Sequence, residues 1–165
     1  MFYGLPLTIF SNYMDTNILA KMQRYCAYQE RAESEVCQKL VSFCLCHEDR
    51  LAILKQLRAE RYFDNERFTE IYVTSKVARK WGKNKIKAGL LQKQIPEEII
   101  QKYLESINSE ENRKNLIKIA TAWLKNNKKE SSIPNRLYRY LYGNGFEIED
   151  ISDILKTLKT LNYKL

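Results

Sequence analysis

Apolar residues recur along this chain at a nearly constant interval of 50 or 51 positions. Seven sets keep this register through three copies: Ile18, Phe68 and Ile119; Met22, Tyr72 and Trp123; Val36, Ile86 and Leu137; Leu40, Leu90 and Leu141; Leu45, Ile95 and Phe146; Leu54, Leu104 and Leu155; and Leu57, Ile107 and Leu158. A period of this length is typical of repeat proteins, in which each unit packs on its neighbours. The pattern therefore predicts a tandem array.

Within one unit the apolar residues are spaced by three or four positions, which predicts helices. We expect an all-α chain of three tandem three-helix repeats that forms an elongated, curved array, with Leu40, Leu90 and Leu141 buried at equivalent places. The repeats are predicted at residues 14–61, 62–108 and 109–165. Because Met14 could serve as the first residue, residues 1–13 are predicted as an N-terminal extension that is disordered or not native.

Polar and conformationally special residues mark the predicted helix boundaries. Asp64 is expected to cap the helix that carries Phe68 and Tyr72, and Gly82 to follow its end. Pro96, followed by two acids, suits a first helical turn. The glycines at positions 143 and 145 predict a break before the last helix.

Charge is distributed unevenly along the chain, whose formal net charge is +8. Residues 1–66 carry −1 and residues 67–165 carry +9. The later part is therefore expected to attract a polyanion such as nucleic acid, or an acidic protein surface. The alternative is that these charges only keep the protein soluble.

Two acid-free runs, followed by two further arginines, supply the candidate partner- and DNA-binding residues. These are Lys76, Arg79, Lys80, Lys83, Lys85, Lys87, Lys93, Arg113, Lys114, Lys118, Lys125, Lys128, Lys129, Arg136 and Arg139. Spacing predicts that the first four form one stripe along a single helix, bordering its apolar face. Interleaved aromatic residues could stack on bases or on a partner protein, although Tyr72 and Trp81 are favoured as core residues; the others are Tyr138, Tyr140 and Tyr142.

The sequence offers little for catalysis. Neither a phosphate-binding glycine motif nor a serine-hydrolase elbow is present, so we predict no enzyme and no cofactor. Cys44, Cys46 and His47 are adjacent, but the spacing does not supply two separated ligand pairs for zinc, and no metal is expected. No segment reaches the length of a membrane span and residues 1–10 make a poor signal peptide, so a cytoplasmic location with free thiols is expected.

Motifs in all three units resemble the RecX family. Residues 29–40 are similar to its R-E-R-S-x-x-E-L-x-x-K-L signature, and residues 62–68 to Y-[IL]-D-D-x-R-[FY]. Residues 82–95 match G-x-x-[KR]-I-x-x-x-L-x-x-[KR]-G-[IV], and residues 137–146 are similar to L-x-x-x-L-x-x-R-G-F. The chain departs from these motifs at Gln29, Ala32, Val36, Asn65, Gln94 and Asn144.

The resemblance implies a regulator that performs no chemistry. Such a protein docks in the groove of the RecA filament on single-stranded DNA, bridges neighbouring protomers, and lowers ATP hydrolysis, strand exchange and coprotease activity. The expected partner is the RecA filament, with single-stranded DNA as a weaker direct ligand, no membrane, and a monomeric chain. The competing hypothesis is a helical-repeat protein that binds DNA or RNA directly through the same cations.

Overall fold

The computed structural model describes residues 7–127 and 133–160, with side chains described for residues 17–127 and 133–158. These residues form nine helices and no strand, which confirms the predicted all-α class. The helices are α1 (Leu7–Tyr28), α2 (Glu33–Val41), α3 (His47–Ala59), α4 (Asn65–Ala78), α5 (Lys83–Gln92), α6 (Glu97–Glu105), α7 (Ser109–Asn126), α8 (Ile133–Gly143) and α9 (Ile148–Thr160).

The first helix includes residues that the sequence predicts to be an extension outside the fold. Helix α1 begins at Leu7, so residues 7–13, which were predicted as an extension, are part of the first helix. Residues 1–6 lie outside the described residues.

Among the described residues, no helix combines the length and apolar character needed to cross a membrane.

The chain divides into two compact units, the first ending at Phe68 and the second beginning at Thr69. In the first unit, α1, α2 and α3 pack against one another. Met22, Val36 and Leu57 are fully buried there, and Phe63 closes the same core from the segment before α4. One face of each helix thus supplies the core, as the helical spacing predicts.

The segment between α3 and α4 explains why residues 62–68 carry a recognisable motif. Asp64 Oδ1 accepts hydrogen bonds from the Glu66 and Arg67 amides at 2.8 and 3.0 Å, which confirms the predicted cap. Asn65 Oδ1 accepts from the Glu33 amide at 3.1 Å. Arg67 Nε donates to Glu30 Oε1 at 2.6 Å. These residues therefore fasten the start of α4 to the α1–α2 connection.

The second unit contains α5 packed on α6, and α7, α8 and α9 packed on one another. Leu90 and Leu141, which correspond to Leu40 in the first unit, are fully buried, and Leu40 is 2% exposed. The predicted equivalence of these three leucines is confirmed. Ile86 and Leu137 are also fully buried at the positions that match Val36.

The predicted register is wrong by one residue on α4 and α7. Val73 and Leu124 are buried there, 51 and 102 positions after the buried Met22, whereas Tyr72 and Trp123, the predicted counterparts of Met22, are only half-buried. Tyr72 and Trp123 are apolar residues that directly precede the buried positions, so a pattern of apolar residue types alone does not separate them from the core.

Several helices are followed by a residue in the left-handed backbone conformation, a position that favours glycine. Gly145 has this conformation after α8, with φ +85°, but Gln94 takes it after α5 with φ +56°. In both cases the following residue, Phe146 or Ile95, donates its amide back to a leucine carbonyl five positions earlier. The glycine that the motif specifies is thus a helix stop, and Gln94 holds that geometry with a side chain attached.

Replacing Gln94 by glycine should therefore stabilise the protein. Removing the Cβ relieves the left-handed conformation by about 1 kcal/mol, partly offset by the greater freedom of glycine in the unfolded chain. Urea unfolding should show a higher midpoint with an unchanged slope. Gln94→Ala is the matched control and should leave the midpoint near that of the wild type; equal midpoints for all three proteins would contradict this account.

Candidate partner-binding surface

Trp81, in the turn between α4 and α5, has two lysine ammonium groups against its ring. The Nζ atoms of Lys76 and Lys85 lie 4.5 and 4.6 Å from the ring centroid. Lys76 Nζ also lies 4.8 Å from the centroid of the Tyr72 ring. The electron-rich ring faces attract both cations and hold them close despite their mutual repulsion. We call Tyr72, Lys76, Trp81 and Lys85 the Trp81 cluster.

Positive charge dominates around the Trp81 cluster. No acidic residue occurs in the sequence from Ile71 to Pro96. Desolvation lowers the pKa of Lys76, and repulsion from Arg79 and Lys93 lowers it further. An added anion would relieve this repulsion and raise the pKa again, so the cluster favours binding of a negatively charged partner.

The turn between α8 and α9 supports this cluster through direct backbone contact. The Gly82 amide donates to the Asn144 carbonyl at 2.9 Å, and the Asn84 amide donates to the Gly145 carbonyl at 3.0 Å. Lys85 Nζ donates to the Asn144 side-chain oxygen at 3.4 Å. The first amides of α5 therefore find their acceptors in another turn, and this contact positions Lys85.

The predicted single-helix stripe is wrong. Helix α4 ends at Ala78, because Lys80 adopts a left-handed conformation with φ +62° and the Trp81 amide donates to the Lys76 carbonyl. Lys76 is the only one of the four on α4; Arg79 and Lys80 lie in the turn, and Lys83 begins α5. Gly82 does not end α4 either but precedes α5 in extended conformation.

The other predicted cations among the described residues lie on or next to α5, α7 and α8. Lys87 on α5 and Lys114 on α7 pair with Glu97 and Glu110 at 2.7 and 2.9 Å. Lys93 caps the end of α5 and is half-buried. The exposed remainder comprises Arg113, Lys118 and Lys125 on α7 and Arg136 and Arg139 on α8, whereas Lys128 and Lys129 lie outside the described residues.

Asn144 is the residue that sequence reasoning missed. The Gly143–Gly145 segment was predicted only as a chain break, and it does separate α8 from α9. Its further role is to contact Gly82 and Lys85 from a distant part of the sequence. The signal for this contact was a glycine in each of two RecX-like motifs, Gly82 and Gly145, because glycine allows two backbones to approach closely.

The four cysteines lie in different surroundings. Cys26 is buried, Cys37 half-buried, and Cys44 and Cys46 exposed, all as free thiols. Burial raises the pKa of the Cys26 and Cys37 thiols. A hydrogen bond with the Asp49 side chain raises the pKa of the Cys46 thiol. A raised pKa reduces the reactive thiolate fraction. No group of three metal-ligating side chains occurs in the described part of the chain.

Comparison with known proteins finds a matching domain family and similar proteins. Residues 64–104 match the family described as "RecX, second three-helix domain". A regulatory protein RecX from Clostridium tetani is 32% identical over 132 residues, which cover 78% of this chain and 61% of that protein. One from Caldanaerobacter subterraneus is 34% identical over 94 residues, covering 57% of this chain and 46% of that protein.

The chain is similar to RecX proteins, and its residues 64–104 match their second three-helix domain.

Solved RecX structures share the fold. The crystal structure of RecX from Lactobacillus salivarius has a TM-score of 0.78 at 21% identity and covers 88% of this chain and 97% of that one. A second crystal structure of regulatory protein RecX has a TM-score of 0.82 at 22% identity, with 95% and 80% covered. The chain spans about half to three-fifths of the lengths of the two curated RecX relatives named above.

A methyl group at position 82 should disrupt the turn contact that supports the Trp81 cluster. The Cβ of a Gly82→Ala variant would overlap the backbone carbonyl of Gly145, so unfolding free energy should fall by about 1–3 kcal/mol. Gly143→Ala is the matched control, because nothing lies within 4 Å of its Cβ position. Urea unfolding of both variants tests this, and equal loss of stability in the two would contradict the assigned contact.

Proposed function

We propose that this chain binds the RecA filament on single-stranded DNA and lowers its ATPase, strand-exchange and coprotease activities. The observation that carries the proposal is the Trp81 cluster, where two ammonium groups share one indole ring with further cations nearby. Its relatives are named regulatory proteins, which favours a protein target over a chemical substrate. We propose no catalytic step for the chain itself, and we expect it to act as a monomer in the cytoplasm.

Electrostatics explains why a nucleoprotein filament suits this surface. Such a filament offers phosphates and acidic side chains over an extended length, whereas the candidate cations are spread from α4 to α8. Neutralised charges on the DNA release counterions, and contacts to protein add binding that depends less on salt. A partner that contains both components therefore matches cations distributed over several helices better than a small ligand does.

Direct binding to nucleic acid is the second candidate function. Helix α8 favours it, because Tyr140 and Tyr142 are 42% and 55% exposed beside the exposed Arg136 and Arg139. Exposed aromatic rings next to cations are typical of surfaces that bind single strands. In this case the filament would be recognised only through its DNA, and free DNA would compete fully for the protein.

Removing the two ring-bound charges should weaken inhibition of RecA. In the Lys76→Gln/Lys85→Gln variant, the concentration that gives half-inhibition of single-stranded-DNA-dependent ATP hydrolysis should rise by about 10-fold. The logarithm of the half-inhibition concentration should also depend less steeply on the logarithm of the salt concentration, with a slope smaller by about 1 to 2. The measurement is RecA ATP hydrolysis over a titration of the protein at several salt concentrations.

The matched control removes two charges from the near-neutral first unit. Lys21 and Lys39 are exposed, and Lys39 also lies near aromatic rings, 5.7 Å from the Phe43 centroid. The Lys21→Gln/Lys39→Gln variant should inhibit almost as well as the wild type. Equal inhibition by both double variants would place the contact away from the Trp81 cluster, and no inhibition by the wild type would overturn the proposed function.

A further inference from the structure

Helix α8 carries a pair of tyrosine rings, of which Tyr138 packs partly against the core and Tyr142 is exposed. Tyr138 and Tyr142 are one helical turn apart, and their rings are nearly parallel, with an interplanar angle of 6° and centroids 6.2 Å apart. Ile133, Leu137 and Leu141 are the buried side chains of α8, and the half-buried Tyr138 packs against the same core. Tyr142 is 55% exposed, so a flat aromatic surface faces solvent beside a ring that is already stacked.

Positive charge surrounds these rings. Helix α8 contains no acidic residue, and Arg139 is exposed one turn before Tyr142. Residues three or four positions apart are neighbours on a helix surface, so Arg139 is a neighbour of Tyr142. A flat ring pair next to a guanidinium group complements a chain in which planar groups alternate with negative charges.

We infer that the outer face of α8, formed by Tyr138, Arg139 and Tyr142, is a stacking site for bases of single-stranded nucleic acid. One base stacks on the exposed face of Tyr142 and extends the parallel ring pair, while Arg139 contacts the adjoining phosphate. This inference deepens the proposed function by naming the part of the filament that α8 meets, and it rests on that function for its biological context.

Stacking distinguishes this site from the Trp81 cluster in its energetic character. At the Trp81 cluster, ammonium groups lie against the indole ring and meet a partner through charge. At Tyr142 the contribution comes from ring overlap, which any base provides and which salt does not screen. A Tyr142 variant should therefore lose affinity equally at every salt concentration, whereas loss of a cation changes the salt slope.

The test measures direct binding to a labelled oligothymidylate by fluorescence anisotropy over a salt series, without RecA. Tyr142→Ala should bind about 10-fold more weakly than the wild type, with an unchanged salt slope. Tyr142→Phe keeps the ring and should bind like the wild type. Tyr28→Ala is the matched control, because Tyr28 is 85% exposed on α1 in the first unit, and it should also bind normally.

A second ligand separates bases from phosphates. An abasic oligonucleotide of the same length keeps the charge, so the wild type should bind it about as weakly as Tyr142→Ala binds oligothymidylate, and Tyr142→Ala should bind both ligands equally. Wild-type binding that is equal for the two ligands, or normal binding by Tyr142→Ala, would overturn the inference. Weaker RecA inhibition by Tyr142→Ala with normal oligothymidylate binding would also overturn it, by making this face a protein contact.

RecA inhibition by the wild type separates this inference from the proposed function. If inhibition occurs but oligothymidylate does not bind even at low salt, the stacking site is wrong and the regulatory function stands. If the wild type binds oligothymidylate with the predicted dependence on Tyr142 but does not inhibit RecA, the stacking site stands and the regulatory function fails.

Discussion

The close approach of Gly82 to Gly145 is the contact on which the candidate surface depends. The first amides of a helix have no acceptors within the helix. At the start of α5, the amides of the N-cap residue Gly82 and of Asn84 donate instead to the carbonyls of Asn144 and Gly145. A Cβ on Gly82 would overlap the backbone of Gly145, and a Cβ on Gly145 would overlap the backbone of Lys85, so both glycines are needed for the two turns to approach this closely. This one contact joins the turn that carries Trp81 to the turn that ends α8.

The Trp81 cluster and the outer face of α8 differ in chemistry. At the first, ammonium groups are held against aromatic rings where the protein partly desolvates them, which lowers the pKa of Lys76. At the second, aromatic rings are exposed on α8 next to arginine. The first unit uses its charged groups differently, since Glu30 and Arg67 pair with each other to hold α4 at the α1–α2 connection. Charge is thus used for structure in the first unit and remains available at these faces in the second.

Periodicity predicted the helices and most of the core because burial repeats along an amphipathic helix. Leu40, Leu90 and Leu141 occupy equivalent buried places for this reason. On α4 and α7 the core was placed one residue too early, because the half-buried aromatic residues Tyr72 and Trp123 directly precede the buried Val73 and Leu124. The proposed stripe failed because helix ends were judged from glycine, whereas Lys80 ends α4 in a left-handed conformation. Asn144 was missed because its partners lie far away in sequence.

Comparison of two binding equilibria tests the central claim most directly. The unmodified chain is titrated against single-stranded DNA and against the same DNA coated with RecA, over a range of salt concentrations. A filament regulator makes salt-resistant protein contacts in addition to DNA contacts. Filament binding should therefore persist at salt concentrations that abolish binding to the naked strand. Affinities that fall together, with no advantage for the filament, would contradict it.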